Sequence, residues 1–110
     1  MQSSDLDEGM AHLQAGRWDA GVRQLRRVLE ARPEFAEVWA NVGYGLRELG
    51  RLDEARAALE RAVGQVQRKV RHLRDVKWRE RYLQSKLARD ILAAAATVGL
   101  ELDAKLTVEG

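Results

Sequence analysis

A chain of 110 residues, 45% apolar and 33% charged, can build one domain with a single modest core, and its composition is that of a globular chain rather than a disordered one. The net charge of +2 implies no global electrostatic partner, and the lack of cysteine excludes disulfides and thiol chemistry. In chain order, the helical period predicts a first helix over about Asp5–Ala15, closed at Gly16 by a left-handed cap. Asp19 is the expected N-cap of a second helix, about Ala20–Ala31, apolar at Val22, Leu25, Val28 and Leu29. Pro33 is expected to open a third helix, where its missing N–H costs nothing, and that helix runs to Leu49 and stops at Gly50. Asp53 is then expected to cap a fourth helix, about Glu54–Val63, apolar at Leu52, Ala55, Leu59, Ala62 and Val63.

Residues 65–98 contain neither Gly nor Pro. They read as one long helix, or as the fourth helix continuing through a kink at Gly64. The first half, Arg68–Arg81, is crowded with Arg and Lys. The second half is apolar at Leu83, Leu87, Ile91, Ala94, Ala95 and Val98. From Leu100 the pattern changes to period two: Leu100, Leu102, Ala104, Leu106 and Val108 alternate with polar residues. That alternation reads as a half-buried strand in need of another edge, or as a frayed tail.

A pattern also recurs at a spacing of 34 residues: Gly43 falls on Gly9, Gly50 on Gly16, Leu52 on Trp18, Asp53 on Asp19, Leu59 on Leu25 and Ala62 on Val28. The second copy carries Trp39, Val42, Gly43, Leu46, Ala55, Leu59 and Ala62; the first carries Gly9, Gly21, Leu25, Val28 and Pro33. Over about residues 2–67 the chain resembles the tetratricopeptide repeat, a helix–turn–helix unit of this period. The second copy lacks only the aromatic and final Pro of that pattern, and the first has Asp5 where its Trp would stand. The paired small residues, Gly9 with Gly21 and Gly43 with Ala55, are where two antiparallel helices must nearly touch. Asp5 suits a first helix with no neighbour on its outer side.

The resemblance implies an all-α fold: two repeats over 2–35 and 36–67, a capping helix over 68–98 and a strand-like or flexible tail over 99–110. A fifth helix is needed because the last repeat would otherwise expose its apolar flank. If the repeat phase continues, Leu73 and Val76 face the fourth helix, while Lys77 and Glu80 point where nothing packs. A 30-residue helix would be about 45 Å long, against about 21 Å for a 14-residue repeat helix. The apolar second half then overhangs, and must fold back or pack against another chain. In the second case Leu83, Leu87, Ile91, Ala94 and Val98 form a homodimer seam.

The resemblance further implies a concave groove built from the first helix of each repeat. The positions carried over are Leu6, Met10 and Leu13; then Ala40, Asn41, Tyr44 and Arg47; then Arg71, Arg74, Trp78 and Arg81. Such a groove has an apolar end and a basic, aromatic end, and suits an extended, helical or acidic peptide. The competing reading makes Met10 and Leu13 core and the arginines a solvated face. One subtype of the family clamps the terminal carboxylate of chaperone tails with Lys and Asn on the first helix and Asn on the third. Leu6 and Met10 occupy the first two of those positions and only Asn41 matches, so that function is not expected.

Basic residues interleaved with Trp78 and Tyr82 could bind nucleic acid, but Asp75 and Glu80 dilute the charge, and nucleic acid is not the expected partner. Catalysis finds no motif, and His12 and His72 have no carboxylate at metal-ligand spacing; no metal or cofactor is expected. The opening residues lack the basic start and apolar run of a signal peptide, and the apolar stretch Ile91–Leu100 is too short for a bilayer. The expectation is a cytoplasmic, non-enzymatic module that binds another protein, as a homodimer through its C-terminal helix and tail, or that assembles with itself without a separate ligand.

Overall fold

The computed structural model describes residues 2–99, and every regular element among them is an α-helix. These are α1 (Gln2–Gln14), α2 (Trp18–Ala31), α3 (Ala36–Glu48), α4 (Leu52–His72), α5 (Val76–Leu83) and α6 (Lys86–Thr97). The expected strand at 100–108 lies outside the described residues. Helices α1 and α2 form one hairpin, α3 and α4 a second, and α2 packs on α3 to join them.

The two hairpins turn identically. Gly16 and Gly50 take φ of +80° and +78°, the left-handed region where a Cβ is costly. Gly16 N–H donates to Leu13 O at 3.0 Å and Arg17 N–H to His12 O at 2.8 Å; Gly50 donates to Arg47 O and Arg51 to Leu46 O, both at 2.9 Å. This pair of bonds is the Schellman arrangement, which satisfies carbonyls the helix leaves open.

The expected caps are corrected. α2 and α4 begin at Trp18 and Leu52, with Arg17 and Arg51 at the N-cap and no side-chain cap bond. Asp19 and Asp53 lie inside the first turn, where a carboxylate still favours the helix dipole. Asp19 pairs with Arg23 at 3.2 Å. Likewise α3 starts at Ala36 rather than Pro33. Pro33 lies in the preceding turn, where its carbonyl accepts a 2.7 Å hydrogen bond from the Trp39 indole.

Close approach within each hairpin depends on glycine. A Cβ on Gly9 would lie 2.6 Å from Leu25 Cδ2, and one on Gly43 2.6 Å from Leu59 Cγ. Leu25 and Leu59 are 0% and 1% exposed, so neither has room to retreat. The first core gathers Leu13, Val22, Leu25, Val28, Val38, Val42 and Leu46 between the hairpins. Of the apolar positions expected in α4, Ala55, Leu59, Ala62 and Val63 are buried, but Leu52 is 58% exposed.

The long C-terminal helix is corrected to three pieces. α4 runs without interruption through Gly64 to His72, and the chain then extends through Leu73 and Asp75. The Asp75 carboxylate caps α5 by accepting from Lys77 N–H at 2.8 Å, and the Ser85 hydroxyl caps α6 by accepting from Ala88 N–H at 3.3 Å. Arg79 Nε donates to Leu73 O at 2.6 Å, satisfying a carbonyl freed at the break. Breaking here lets the apolar second half reverse onto its own chain. Leu83, Ile91 and Ala95 join Ala62, Val63, Val66 and Val70 in a second core. The repeat phase does not continue: Leu73 falls in the break and Val76 is 60% exposed.

α6 packs on α4 and α3. Arg47 at the end of α3 donates to Thr97 Oγ1 at the end of α6, at 2.9 Å, so α6 runs parallel to α3 and antiparallel to α4. It stands where the first helix of a following hairpin would stand. Trp39 packs against both cores, with the Arg61 guanidinium 4.7 Å from its ring centroid.

Candidate functional site

Two depressions lie against α3. One, of about 530 Å³, is lined by Glu37, Ala40, Asn41 and Tyr44 of α3 and by Lys86, Leu87, Asp90, Ile91 and Ala94 of α6. The other, of about 350 Å³, lies at the start of α3 and is lined by Glu34, Phe35, Ala36, Glu37, Gln65, Arg68, Lys69, His72, Tyr82 and Leu87. Glu37 and Leu87 line both, so the two adjoin, and together they make up a trough along α3. Its volume lies in the range typical of ligand clefts.

The walls follow from the helical period. Glu37, Ala40, Asn41 and Tyr44 recur at three- and four-residue spacing and share one face of α3; Lys86 or Leu87, Asp90 or Ile91, and Ala94 do the same on α6. Ala40, Leu87, Ile91 and Ala94 give apolar surface. On the polar side, Lys86 and Asp90 pair with each other at 2.7 Å. The Lys86 pKa is raised by the hydrogen bond to Asp90 and by its charge. Asn41 donates to Glu37 O at 2.9 Å, which leaves its Oδ1 and second N–H open. At the far end burial raises the Tyr82 phenol pKa. An amide with a free acceptor and donor beside apolar walls can hydrogen-bond an extended backbone while its side chains dock.

The expected groove residues divide. Ala40, Asn41 and Tyr44 line the trough. Arg47 closes its end through Thr97 and lies 5.2 Å over the Tyr44 ring; Trp18 meets the same ring edge-on at 5.4 Å. Leu13 is corrected to core, and Leu6 and Met10 pack half-buried against that core. Arg71, Arg74, Trp78 and Arg81 are corrected as well: they stand on the end of α4, the break and α5, outside the trough. The third wall comes from α6 instead, because the chain inserts α5 before the helix that packs beside α3. Asp75 and Ser85, good N-cap residues, were the sequence signal for that insertion.

The expected dimer seam is corrected in the same way. Leu83 and Ile91 are buried in their own chain, Val98 packs on the first core, and Ala94 lines the trough; Leu87 alone of the five is exposed, at 39%. Lys86, Leu87 and Asp90 are among the trough residues absent from the expected groove, since their place depends on the reversal.

Stacked helical hairpins whose first helices share one face, closed by an added helix, define a helical-repeat scaffold. The family model for the tetratricopeptide repeat matches residues 6–69, more than half of the chain, and the chain belongs to that family. Repeats of this family generally mediate protein–protein interaction and are typically non-enzymatic. No curated protein matches the chain. Among the described residues no helix is long and apolar enough to cross a membrane, and no group of three His, Cys, Asp or Glu could hold a metal ion.

Proposed function

We propose that this chain is an adaptor that holds an extended segment of another protein in the trough between α3 and α6. The observation that carries the reading is that the two depressions adjoin at Glu37 and Leu87. Apolar side chains of the segment would rest on Ala40, Leu87 and Ala94. Its backbone would bond to Asn41, whose amide offers both a donor and an acceptor. Arg68, Lys69 and His72 at one end favour an acidic residue there, although Glu34 and Glu37 on the facing wall temper that preference. A second copy of the chain is a poorer occupant, because Leu83 and Ile91 already lie inside their own molecule.

Selection of peptides from a random library, followed by amide chemical-shift mapping, tests this. The selected peptides should shift Ala40, Asn41, Tyr44, Leu87 and Ala94, and Leu87→Arg should abolish binding while leaving the fold intact by circular dichroism. Peptides that map to another face, or that bind the Leu87→Arg chain equally well, would reject the proposal.

A further inference from the structure

Residues 68–81 hold seven Lys or Arg and two acidic residues, a net +5 in a chain whose total is +2, so the remainder carries −3. Such a run is ordinarily dispersed by ion pairs along a helix. Here it is not. The five ion pairs of the described residues involve Arg23, Arg26, Arg47, Arg51 and Lys86, none of them in this run. Asp75 is engaged as the cap of α5 and Glu80 pairs with no cation. Arg71, Arg74, Lys77 and Arg81 are therefore like charges within eleven residues of chain, exposed and without a carboxylate partner among the described residues.

Beside them stands Trp78, 56% exposed, the most exposed of the three tryptophans. Its ring meets the Arg81 guanidinium, 4.9 Å from the centroid. On α5 the outward sector carries Lys77, Trp78 and Arg81, while Arg79 bonds inward and Leu83 is buried. Free indole surface bordered by unpaired cations matches a polymer that alternates planar rings with negative charge.

We propose that this elbow, from Arg71 to Arg81, is a binding site for single-stranded nucleic acid, with Arg71, Arg74, Lys77 and Arg81 on phosphates and a base stacked on Trp78. It is separate from the trough and does not rest on it. An acidic protein segment would use the cations and leave the indole idle. An anionic membrane would need several apolar groups on one face, whereas Val76 and Trp78, two positions apart, point about 200° from each other around the helix.

Fluorescence anisotropy of the full chain with a labelled 12-nucleotide homopolymer of uridine or thymidine tests the proposal. Four phosphate contacts give a salt slope of about −3, or roughly a 50-fold loss of affinity between 50 and 200 mM salt. Lys77→Gln should make that slope shallower by about 0.7. Trp78→Ala should weaken binding by at least about fivefold without changing the slope. Both positions are exposed, and an unchanged circular dichroism melt confirms that each variant folds. Absent binding, binding that neither substitution changes, or equal binding of poly-glutamate or anionic vesicles that Trp78→Ala leaves intact would each overturn it.

Discussion

Truncating Ile91 asks whether the apolar C-terminal half belongs to this chain's own core. Ile91 is 1% exposed on α6, packed into the core formed with α4. Its removal to alanine leaves a cavity, and such changes cost about 2–5 kcal/mol. α6 is an end helix that can settle inward, which places the cost in the lower half of that range, near about 3 kcal/mol. With a urea dependence of about 2 kcal/mol per M for a chain of this size, the midpoint should fall by about 1.5 M. Leu87→Ala, one turn away at 39% exposure, should cost about 1 kcal/mol or less. Equilibrium urea unfolding followed by circular dichroism and Trp fluorescence, at two protein concentrations, reads both. In a folded-back monomer the parent midpoint does not depend on concentration. Equal shifts for the two variants, or a parent midpoint that rises with protein concentration, would refute the reasoning.

Further outcomes are expected. Gly9→Ala should destabilise, because overpacking against Leu25 at 2.6 Å costs about 1–3 kcal/mol and exceeds the helix-propensity gain of about 1 kcal/mol. Gly64→Ala, where an added Cβ meets nothing within 4 Å in the middle of α4, should instead raise the thermal midpoint by an amount worth about 0.5–1 kcal/mol. The hydrogen bond from Arg51, with smaller help from Arg26 and against a burial cost, holds the Glu54 carboxyl below its usual 4.5. A depressed folded-state value stabilises above the unfolded one and is lost as pH falls through it. Glu54→Gln should therefore flatten the loss of stability seen by urea titration as pH drops below 4.5, by a small amount because the pair is exposed. A Gly50→Ala chain must hold alanine at a φ near +78°, which should cost about 1–2 kcal/mol of stability, read as a lower urea midpoint.

Much of the repeat body was legible because its determinants are local. Gly16 and Gly50 end their helices since only glycine takes that φ cheaply, and Gly9, Gly21 and Gly43 mark contacts a side chain would block. Val22, Leu25, Val28 and Leu29 fall on one face by period alone, and all four are buried. These helix starts differ from the expected ones by two to three residues, because Asp19, Asp53 and Pro33 suit the first turn or its approach nearly as well as the cap itself.

The C-terminal third is different. Its sequence announced an apolar stripe without stating what would cover it. A dimer and a fold-back both bury Ile91, and period cannot separate them. The choice rests on contacts between residues far apart in the chain: Arg47 with Thr97, and Ile91 with the core under Trp39. So the sequence by itself determined the hairpins, their turns and their family, which follow from backbone conformation and neighbouring side chains. Tertiary structure decided that α6 stands beside α3, that the trough lies between them, and that Trp78 and its arginines lie outside it. Those outcomes depend on where the chain reverses at Asp75 and Ser85, and a reversal has value only once the surface it covers exists.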